Sequence, residues 1–281
     1  MYTSPPASPF PHDQPPYDRP LYDRVVDRLR AAGCVFAEDE AELLLQEAGS
    51  ATDLTSKLDR RVAGEPLEHI LGWTEFCGLR ILVRPGVFVP RQRTALMVDE
   101  AVAGVQARRL GPGRIVLLDL CCGAGAVGAA VHARLSNCEV FAGDIDPTAV
   151  ACAQQNLPPD AHTFTGDLYA PLPPALQGRV DVLVANAPYV PTDALRVMPP
   201  EARLHEPPVA LDGGHDGLQL LQRVIAEARQ WLSPGGQLLI ESGGEQAPRA
   251  ADLMVRAGLL PRVAVSEDLG ATVVIGSLRD R

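Results

Sequence analysis

The sequence lacks several features that would assign it to a membrane, secreted or nucleic-acid-binding class. Its longest apolar runs fall well short of the roughly 18–20 residues that a membrane-spanning helix needs, so we expect no membrane partner. Basic residues are scarce, because 25 lysines and arginines stand against 35 acidic residues, for a formal net charge of −10. Tight binding to nucleic acid requires many basic contacts to phosphates, so nucleic acid is not the expected partner.

Paired cysteines are also missing. The chain has six cysteines, and none of them forms the C-x-x-C spacing of a zinc site or a redox motif. We therefore expect no metal, no disulfide framework and reduced thiols in the cytoplasm. The first residues, 1–18, are rich in proline and lack the apolar core of a signal peptide, which predicts a disordered tail.

The next segment, 19–71, has the pattern of a small helical domain. Apolar residues recur at helical spacing from residue 21 to residue 29, and two more helices are predicted, one before Gly49 and one before Gly64. Asp53 is the predicted cap of the last of these helices. Residues 72–90 predict a β-hairpin linker, because glycines separate short apolar strands. We expect the helical domain to bind the substrate.

From residue 91 to residue 281, strands alternate with helices. Apolar strands are predicted at 115–120, 139–144, 162–165, 180–186 and 237–242. Such repeated units build a mostly parallel sheet with helices on both faces. The last two strands, near 261–266 and 271–276, have no helix between them and can pair only as an antiparallel hairpin. The predicted fold is α/β, a Rossmann-like sheet with one antiparallel C-terminal strand, and it resembles the class I methyltransferases that use S-adenosylmethionine.

A glycine-rich turn follows the first of these strands. Gly123, Gly125 and Gly128 form a G-x-G-x-x-G motif, which by itself also fits a dinucleotide-binding fold with Asp144 on the ribose. Asp119 favours S-adenosylmethionine instead, because a carboxylate at the strand end accepts the ammonium of that cofactor but repels a pyrophosphate. The alternative is that Asp119 only caps the following helix.

The next two strands end in groups that suit the same cofactor. Asp144 can accept from both hydroxyl groups of a ribose, and Asp167 can accept from an adenine amino group while Leu168 packs on the ring. The carboxyl ends of parallel strands meet at one edge of the sheet. Three carboxylates at three strand ends therefore predict a cofactor crevice at this edge.

The strand at 180–186 ends in the sequence Asn186-Ala187-Pro188-Tyr189. One interpretation is a strand that stops in a turn, because asparagine and proline are common turn residues. The other is a pocket, in which the Asn186 oxygen and the Ala187 carbonyl accept the two N–H groups of a planar amide or amino group. Tyr189 would hold that group from its face. The expected chemistry is in-line methyl transfer driven by alignment and electrostatics rather than by a strong base.

Taken with five other motifs, this stretch resembles the HemK/PrmC family of protein N(5)-glutamine methyltransferases. That family modifies the glutamine in the Gly-Gly-Gln loop of peptide chain release factors, and its Asn-Pro-Pro-Tyr motif aligns with 186–189. The other matching motifs lie at 64–72, 75–79, 89–94 and 205–218 and at Glu241 with Gln246. The resemblance covers about residues 20–276, with the motifs in the same order.

The resemblance implies S-adenosylmethionine as the cofactor and a peptide chain release factor as the protein partner. With the strand-end carboxylates, the implied cofactor site comprises Asp119, Cys121, Cys122, Gly123, Ala124, Gly125, Asp144, Ile145, Asp167, Leu168 and Asn186. The implied catalytic site, where the glutamine would bind, comprises Asn186, Ala187, Pro188 and Tyr189.

The chain departs from the family pattern at several positions. Ala187 replaces the first proline of the motif, but this position acts through its backbone carbonyl, which alanine keeps, and Pro188 still holds it extended. Cys121 and Cys122 replace the first glycine and the threonine of the family's glycine turn. These differences indicate a divergent branch. Two other interpretations stay open, namely a methyltransferase for a nucleic-acid adenine amino group or a small metabolite, and a catalytically weakened cofactor-binding protein.

Overall fold

A computed structural model describes residues 18–108, 113–135 and 137–279. The predicted tail at 1–18 lies outside these residues except for Asp18. The chain divides into two compact units, and the boundary between them falls between Leu71 and Gly72. The role of the first unit in substrate binding stays a prediction.

The first unit is built from helices around one small apolar core. Its helices are α1 (Arg19–Ala31), α2 (Ala37–Glu47), α3 (Ala51–Val62) and α4 (Leu67–Leu71). Leu29, Leu44 and Leu58 are almost fully buried where the helices meet. Three helices were expected, and α4 escapes the periodicity test because five residues make little more than one turn.

The cap of α3 differs from the prediction. Ser50, not Asp53, is the residue at the cap position, and its hydroxyl oxygen accepts a hydrogen bond from the Asp53 amide at 3.2 Å. Asp53 lies in the first turn, where its carboxylate accepts from the Gly49 amide at 3.0 Å. Ser50 thus satisfies an amide that the helix leaves unpaired at its start, and Asp53 fixes the residue before the cap.

The second unit begins with the predicted β-hairpin. Strands β1 (Trp73–Phe76) and β2 (Leu79–Leu82) pair antiparallel, with Phe76 opposite Leu79. The turn residues Cys77 and Gly78 both have positive φ, of 52° and 78°, as a two-residue turn matched to the strand twist requires. The chain then passes through a 3₁₀ turn (Gln92–Thr94) into helix α5 (Ala95–Arg108).

The main sheet has seven strands in the order β5-β4-β3-β6-β7-β9-β8. The strands are β3 (Ile115–Leu120), β4 (Cys138–Asp144), β5 (His162–Thr165), β6 (Val180–Ala185), β7 (Leu232–Glu241), β8 (Leu260–Ser266) and β9 (Ala271–Ser277). All neighbouring pairs are parallel except those of β9, which pairs antiparallel with both β7 and β8. The predicted mostly parallel sheet with one antiparallel strand is confirmed.

Helices cover both faces of this sheet. The remaining helices are α6 (Ala126–Arg134), α7 (Pro147–Asn156), α8 (Pro200–His205), α9 (Gln219–Trp231) and α10 (Ala247–Arg256). One buried apolar cluster joins α5, α6 and α7 to one face, and a second joins α9 and α10 to the other. The loop predicted after β6 contains α8 and two 3₁₀ turns, Thr192–Val197 and Pro208–Ala210.

Strand β7 is longer than predicted. It begins at Leu232 rather than at residue 237, although Pro234, Gly235 and Gly236 suggest a turn. Leu232 pairs with Val180 at the start of β6, and the register then shifts before the regular pairing resumes. A bulge of this kind lets a strand continue through residues that would otherwise end it.

None of the helices in the described residues has both the length and the apolar character that spanning a bilayer requires.

The cap of α3 gives a first prediction. Replacing Ser50 with alanine removes the acceptor for the Asp53 amide and should destabilise the first unit by about 1 kcal/mol. Hydrogen exchange of the α3 amides in the whole protein measures this loss. Ser56→Ala, on an exposed position of the same helix, is the matched control and should leave exchange unchanged or slower. Equal exchange in the Ser50 variant and the wild type would contradict the cap.

Candidate active site

A cavity of about 540 Å³ lies at the edge where β3, β4, β5 and β6 end. Strand β3 lies between β4 and β6. The chain runs from β3 to β4 and β5 on one side and then crosses back to β6 on the other, and ligands bind at such a switch point in open α/β sheets. The predicted site residues that line the cavity are Asp119, Cys121, Cys122, Gly123, Ala124, Asp144, Ile145, Asp167, Leu168, Asn186 and Pro188. Three other predicted site residues, Gly125, Ala187 and Tyr189, do not line the cavity.

The strand register explains why these residues meet. Leu120, the last residue of β3, is level with Gly143 of β4 and with Ala185 of β6. The residues that follow these three positions along the chain are Cys121, Asp144 and Asn186, respectively. Parallel pairing thus brings the glycine turn, the ribose-binding candidate and the polar motif to one level of the sheet.

The turn after β3 uses its three glycines differently. Gly123 has φ of 53°, and a side-chain carbon there would meet nothing within 4 Å, so this position is open toward the cavity. Gly125 and Gly128 serve packing, because a side-chain carbon on either would come within about 3.0 Å of Leu157 or Ala153. Cys121 keeps the left-handed φ of 55° without being glycine. The turn thus holds a conformation that costs a non-glycine residue roughly 1–2 kcal/mol.

Asp119 is a buried carboxylate at the end of β3. It is 2% exposed, and its Oδ2 accepts a hydrogen bond from the Gly128 amide at 2.9 Å. The helix contact weighed as an alternative is therefore present, yet Asp119 also lines the cavity. Burial raises the pKa of Asp119 to about 7, and the nearby Asp144 adds to the shift, although the Gly128 hydrogen bond opposes it.

This shift has a consequence for stability. An acid whose pKa is raised by folding destabilises the folded state as pH rises from its ordinary value, 3.8 for Asp119, toward about 7. At neutral pH the fold therefore carries a free-energy cost at this position. A cation bound in the cavity would offset that cost, so Asp119 favours a positively charged ligand group.

Asp144 is the last residue of β4, the strand next to β3. Its two oxygens accept from the Gly123 amide at 2.9 Å and from the Asp146 amide at 3.0 Å. Burial raises the pKa of Asp144 as well, although both amides act in the other direction. Each carboxylate oxygen has two lone pairs, so Asp144 can still accept from a ligand hydroxyl while it fixes the glycine turn.

The end of β5 forms the next part of the wall. Asp167 lines the cavity and pairs with Arg223 at 2.7 Å, and Arg223, on α9, lines it too. Leu168 is buried with φ of 48° and packs in the apolar cluster on that face. Asp167 is thus held by a cation that the sequence pattern did not indicate.

The two cysteines of the turn are neutral thiols. Burial raises the pKa of Cys121 and of Cys122 well above the ordinary value for a thiol, and neighbouring carboxylates add to the shift. The thiolate is the nucleophilic form of cysteine, so both residues are kept in an inert form. They serve as small apolar surface in the cavity wall.

The motif 186–189 follows β6 directly. The Asn186 amide nitrogen contacts the Thr94 hydroxyl at 3.5 Å, and both residues line the cavity. Ala187 is 1% exposed and packs in an apolar cluster. The Tyr189 hydroxyl donates to Glu241 at 2.9 Å and accepts from Arg93 at 2.9 Å. Contact of the Tyr189 ring with a substrate amide stays a prediction.

The Tyr189 hydroxyl does not titrate near neutral pH. Burial raises the pKa of Tyr189 to about 12, and the adjacent Glu241 carboxylate acts in the same direction, against the Arg93 guanidinium. A phenol of this kind holds its proton over the physiological range. Tyr189 therefore contributes position and surface rather than a base.

The backbone of Tyr189 is held by parts of two other sequence motifs. Gln246 donates from its amide nitrogen to the Tyr189 carbonyl at 3.0 Å and to the Asp216 carbonyl at 3.2 Å. A side-chain carbon on Gly217 would lie 2.2 Å from the Tyr189 carbonyl oxygen, so only glycine fits there. The motifs at 205–218 and 241–246 thus fix the backbone of Tyr189.

Sequence reasoning did not identify three of the side chains at the site. Arg93, Thr94 and Arg223 were not assigned to the site, although Thr94 falls within a matched motif. Thr94 and Glu241 are 147 residues apart, so no local pattern could reveal their contact. The presence of both in motifs of one family was the only available signal.

Two comparisons report on the fold. The family profile of the methyltransferase small domain matches residues 80–199. A crystal structure of a methyltransferase from Pyrococcus furiosus is similar at a TM-score of 0.50, with 16% sequence identity, and covers 72% of this chain and 90% of its own. The predicted class I methyltransferase fold is confirmed.

Relatives of known name match most of the chain. A release factor glutamine methyltransferase of Geobacter sulfurreducens is 36% identical over 77% of this chain and 74% of its own length. One of Moorella thermoacetica is 36% identical over 81% and 86%, and one of Caulobacter vibrioides is 30% identical over 89% and 92%. At this identity and coverage, the chain belongs to the release factor glutamine methyltransferase family.

Proposed function

We propose that the protein transfers a methyl group from S-adenosylmethionine to the side-chain amide nitrogen of a glutamine in a peptide chain release factor. The observation that carries this proposal is the pairing of a cation-favouring cavity with an amide-accepting motif at the next strand end. The names of the relatives support the same reaction and the same protein substrate. The release factor is the proposed partner.

The residues of the cavity fit the cofactor. Asp119 suits an ammonium group because its carboxylate is buried and, within the described part of the chain, pairs with no cation. Asp144 has lone pairs for ribose hydroxyls, and Asp167 and Leu168 would contact the adenine. Gly123 lets the backbone approach the ligand, because a side-chain carbon there would point into open space. When bound, S-adenosylmethionine supplies a methyl group activated by its positively charged sulfur.

The protein contributes alignment to the reaction. An amide nitrogen is a poor nucleophile, so its lone pair must be directed at the methyl carbon within a near-attack geometry. The Asn186 oxygen and the Ala187 carbonyl would accept the two N–H groups of the glutamine and fix the plane of its amide. As positive charge develops on this nitrogen, the same two acceptors stabilise it more strongly than in the ground state. The methylated nitrogen then loses one of its two protons to water, which leaves a neutral N-methyl amide.

The substrate assay tests the proposal directly. Incubated with a purified release factor and radiolabelled S-adenosylmethionine, the protein should label the peptide that contains the Gly-Gly-Gln loop. A release factor in which the glutamine of that loop is replaced by alanine is the control and should stay unlabelled. Labelling of DNA, RNA or a small metabolite in place of the peptide would refute the substrate assignment.

Removal of the acceptor side chain should separate chemistry from cofactor binding. Asn186→Ala should lower kcat by roughly 100- to 1000-fold, as loss of an oriented acceptor in a catalytic site does. The dissociation constant for S-adenosylmethionine, measured by calorimetry, should change little, because the proposed cofactor contacts are mainly on β3, β4 and β5. Asn137→Ala, at an exposed position, is the control and should keep full turnover. Wild-type turnover in the Asn186 variant would rule out this role.

Cofactor affinity should depend on pH through Asp119. Below its pKa of about 7, Asp119 is protonated and offers no charge to an ammonium group, so affinity should fall by about tenfold per pH unit between pH 7 and 5.5. Calorimetry at several pH values gives this slope. Asp119→Asn should bind weakly with a flatter slope, whereas Asp144→Asn should retain the slope. An unchanged dissociation constant at pH 5.5 and pH 7 would contradict the ammonium contact.

A further inference from the structure

One buried carboxylate is linked to both ends of the Asn-Ala-Pro-Tyr motif. Glu241, the last residue of β7, is 1% exposed and accepts from Arg93 Nε at 3.0 Å and from the Tyr189 hydroxyl at 2.9 Å, both at Oε1. Its other oxygen, Oε2, accepts from the Thr94 hydroxyl at 2.7 Å. Thr94 in turn accepts from the Asn186 amide nitrogen at 3.5 Å. Glu241 is therefore connected directly to one end of the motif and through Thr94 to the other.

The number of protons available in this series of hydrogen bonds fixes the orientation of the Asn186 side-chain amide. A threonine hydroxyl has one proton, and an ionised carboxylate can only accept, so Thr94 must donate its proton to Glu241. The hydroxyl then offers only lone pairs to its other neighbour. Asn186 must turn its NH₂ group toward Thr94, which leaves its Oδ1 for a ligand in the cavity that both residues line.

We propose that Thr94 and Glu241 are positioning residues that hold the Asn186 amide with its oxygen toward the substrate glutamine. This inference rests on the proposed function, because it concerns the acceptor for the glutamine N–H group. With the opposite orientation, the NH₂ group of Asn186 would face the NH₂ group of the substrate. Two donors cannot bind each other, so the reversed amide would repel the substrate from the reactive position.

Arg93 makes it possible to test the pattern of donors and acceptors at residue 241. Its Nε–H can only donate, so the atom of residue 241 that it contacts must be an oxygen. In Glu241→Gln, the amide nitrogen is thereby forced to the other position, opposite Thr94. There it donates to the Thr94 hydroxyl and turns that hydroxyl's proton toward Asn186. The shape of the site is kept, but the order of donors and acceptors is reversed.

Kinetics of three variants test this relay of hydrogen bonds. Thr94→Val removes the hydroxyl and should lower kcat by roughly 10- to 100-fold, the effect of losing a hydrogen bond at a buried polar group. Thr94→Ser retains the hydroxyl and should recover most of the lost kcat. Glu241→Gln should lose at least as much as Thr94→Val. The dissociation constant for S-adenosylmethionine should stay close to the wild-type value in all three.

Thr74→Val is the matched control for a buried threonine. Thr74 is 9% exposed on β1, and within the described residues its hydroxyl donates to a neighbouring backbone carbonyl, Glu75 O, at 3.5 Å. This variant should keep the wild-type kcat, and its thermal stability reports what a threonine-to-valine change costs the fold. Wild-type kcat in Thr94→Val would overturn the inference, and so would equal losses in Thr94→Val and Thr94→Ser.

A measurement without substrate separates this inference from the proposed function. In ¹⁵N-labelled protein, the side-chain NH₂ signal of Asn186 can be assigned by its absence in Asn186→Asp. Its exchange with water should be slow in the wild type and in Thr94→Ser and faster in Thr94→Val and Glu241→Gln. Equal exchange in all four proteins would overturn the orientation even if release factor is methylated. Failure of the wild type to label release factor would instead refute the proposed function.

Discussion

The site depends on one constraint, the parallel pairing of β3 with a neighbour on each side. The pairing sets Leu120 level with Gly143 and Ala185, so the residues that follow these three positions emerge at the same height. Residues that lie far apart in sequence are thereby brought into one cavity, such as Gly123 and Asp144, which are 21 residues apart and joined by a hydrogen bond. A shift of one residue in either pairing would turn alternate side chains away from it. The chemistry of the cavity is thus a consequence of the sheet register.

The buried carboxylates of the cavity lower the stability of the fold, and a bound cation would offset that cost. Asp119 and Asp144 are both buried at strand ends, and burial raises the pKa of each. A fold optimised only for stability would place apolar side chains or a compensating cation there. By contrast, Glu206 and Glu241, which are also buried, are each paired with an arginine, Arg91 at 2.6 Å and Arg93 at 3.0 Å. Among the described residues, Asp119 and Asp144 thus face the cavity without an arginine partner, whereas the buried Glu206 and Glu241 and the cavity-lining Asp167 each have one.

The sequence allowed the fold and the cavity edge to be predicted, because both depend on local patterns. Alternating apolar runs and glycine turns define the strands, and polar residues at strand ends define the binding edge. The supporting network could not be predicted, since Thr94 and Arg93 meet Glu241 only after about 150 residues of chain have folded between them. The cap of α3 was missed for a local reason: Ser50 and Asp53 are both good cap residues, and the pattern alone does not decide between them.

The same network restricts the backbone around Ala187, which stands where the family motif has a proline. A proline there would restrict the backbone that presents the carbonyl. In this chain, Pro188 keeps the backbone of Ala187 extended, and burial also restricts Ala187, because its side chain is only 1% exposed. Beyond it, the Tyr189 carbonyl is fixed by Gln246, and Val190 is paired on both sides, with its amide donating to the Leu211 carbonyl at 3.2 Å and its carbonyl accepting from Gly213 at 2.8 Å.

The acceptor geometry is therefore set by tertiary contacts that bracket position 187. Thr94 holds the residue before it, and Glu241 and Gln246 hold the side chain and the backbone of Tyr189 after it. With Asn186 and Tyr189 held on either side of the Ala187-Pro188 pair, the carbonyl of Ala187 has little freedom to rotate, and the ring of a second proline would add little. On the proposed mechanism, alanine at this position would be compatible with the reaction, whereas variation at Thr94 or Glu241 would release the acceptor itself.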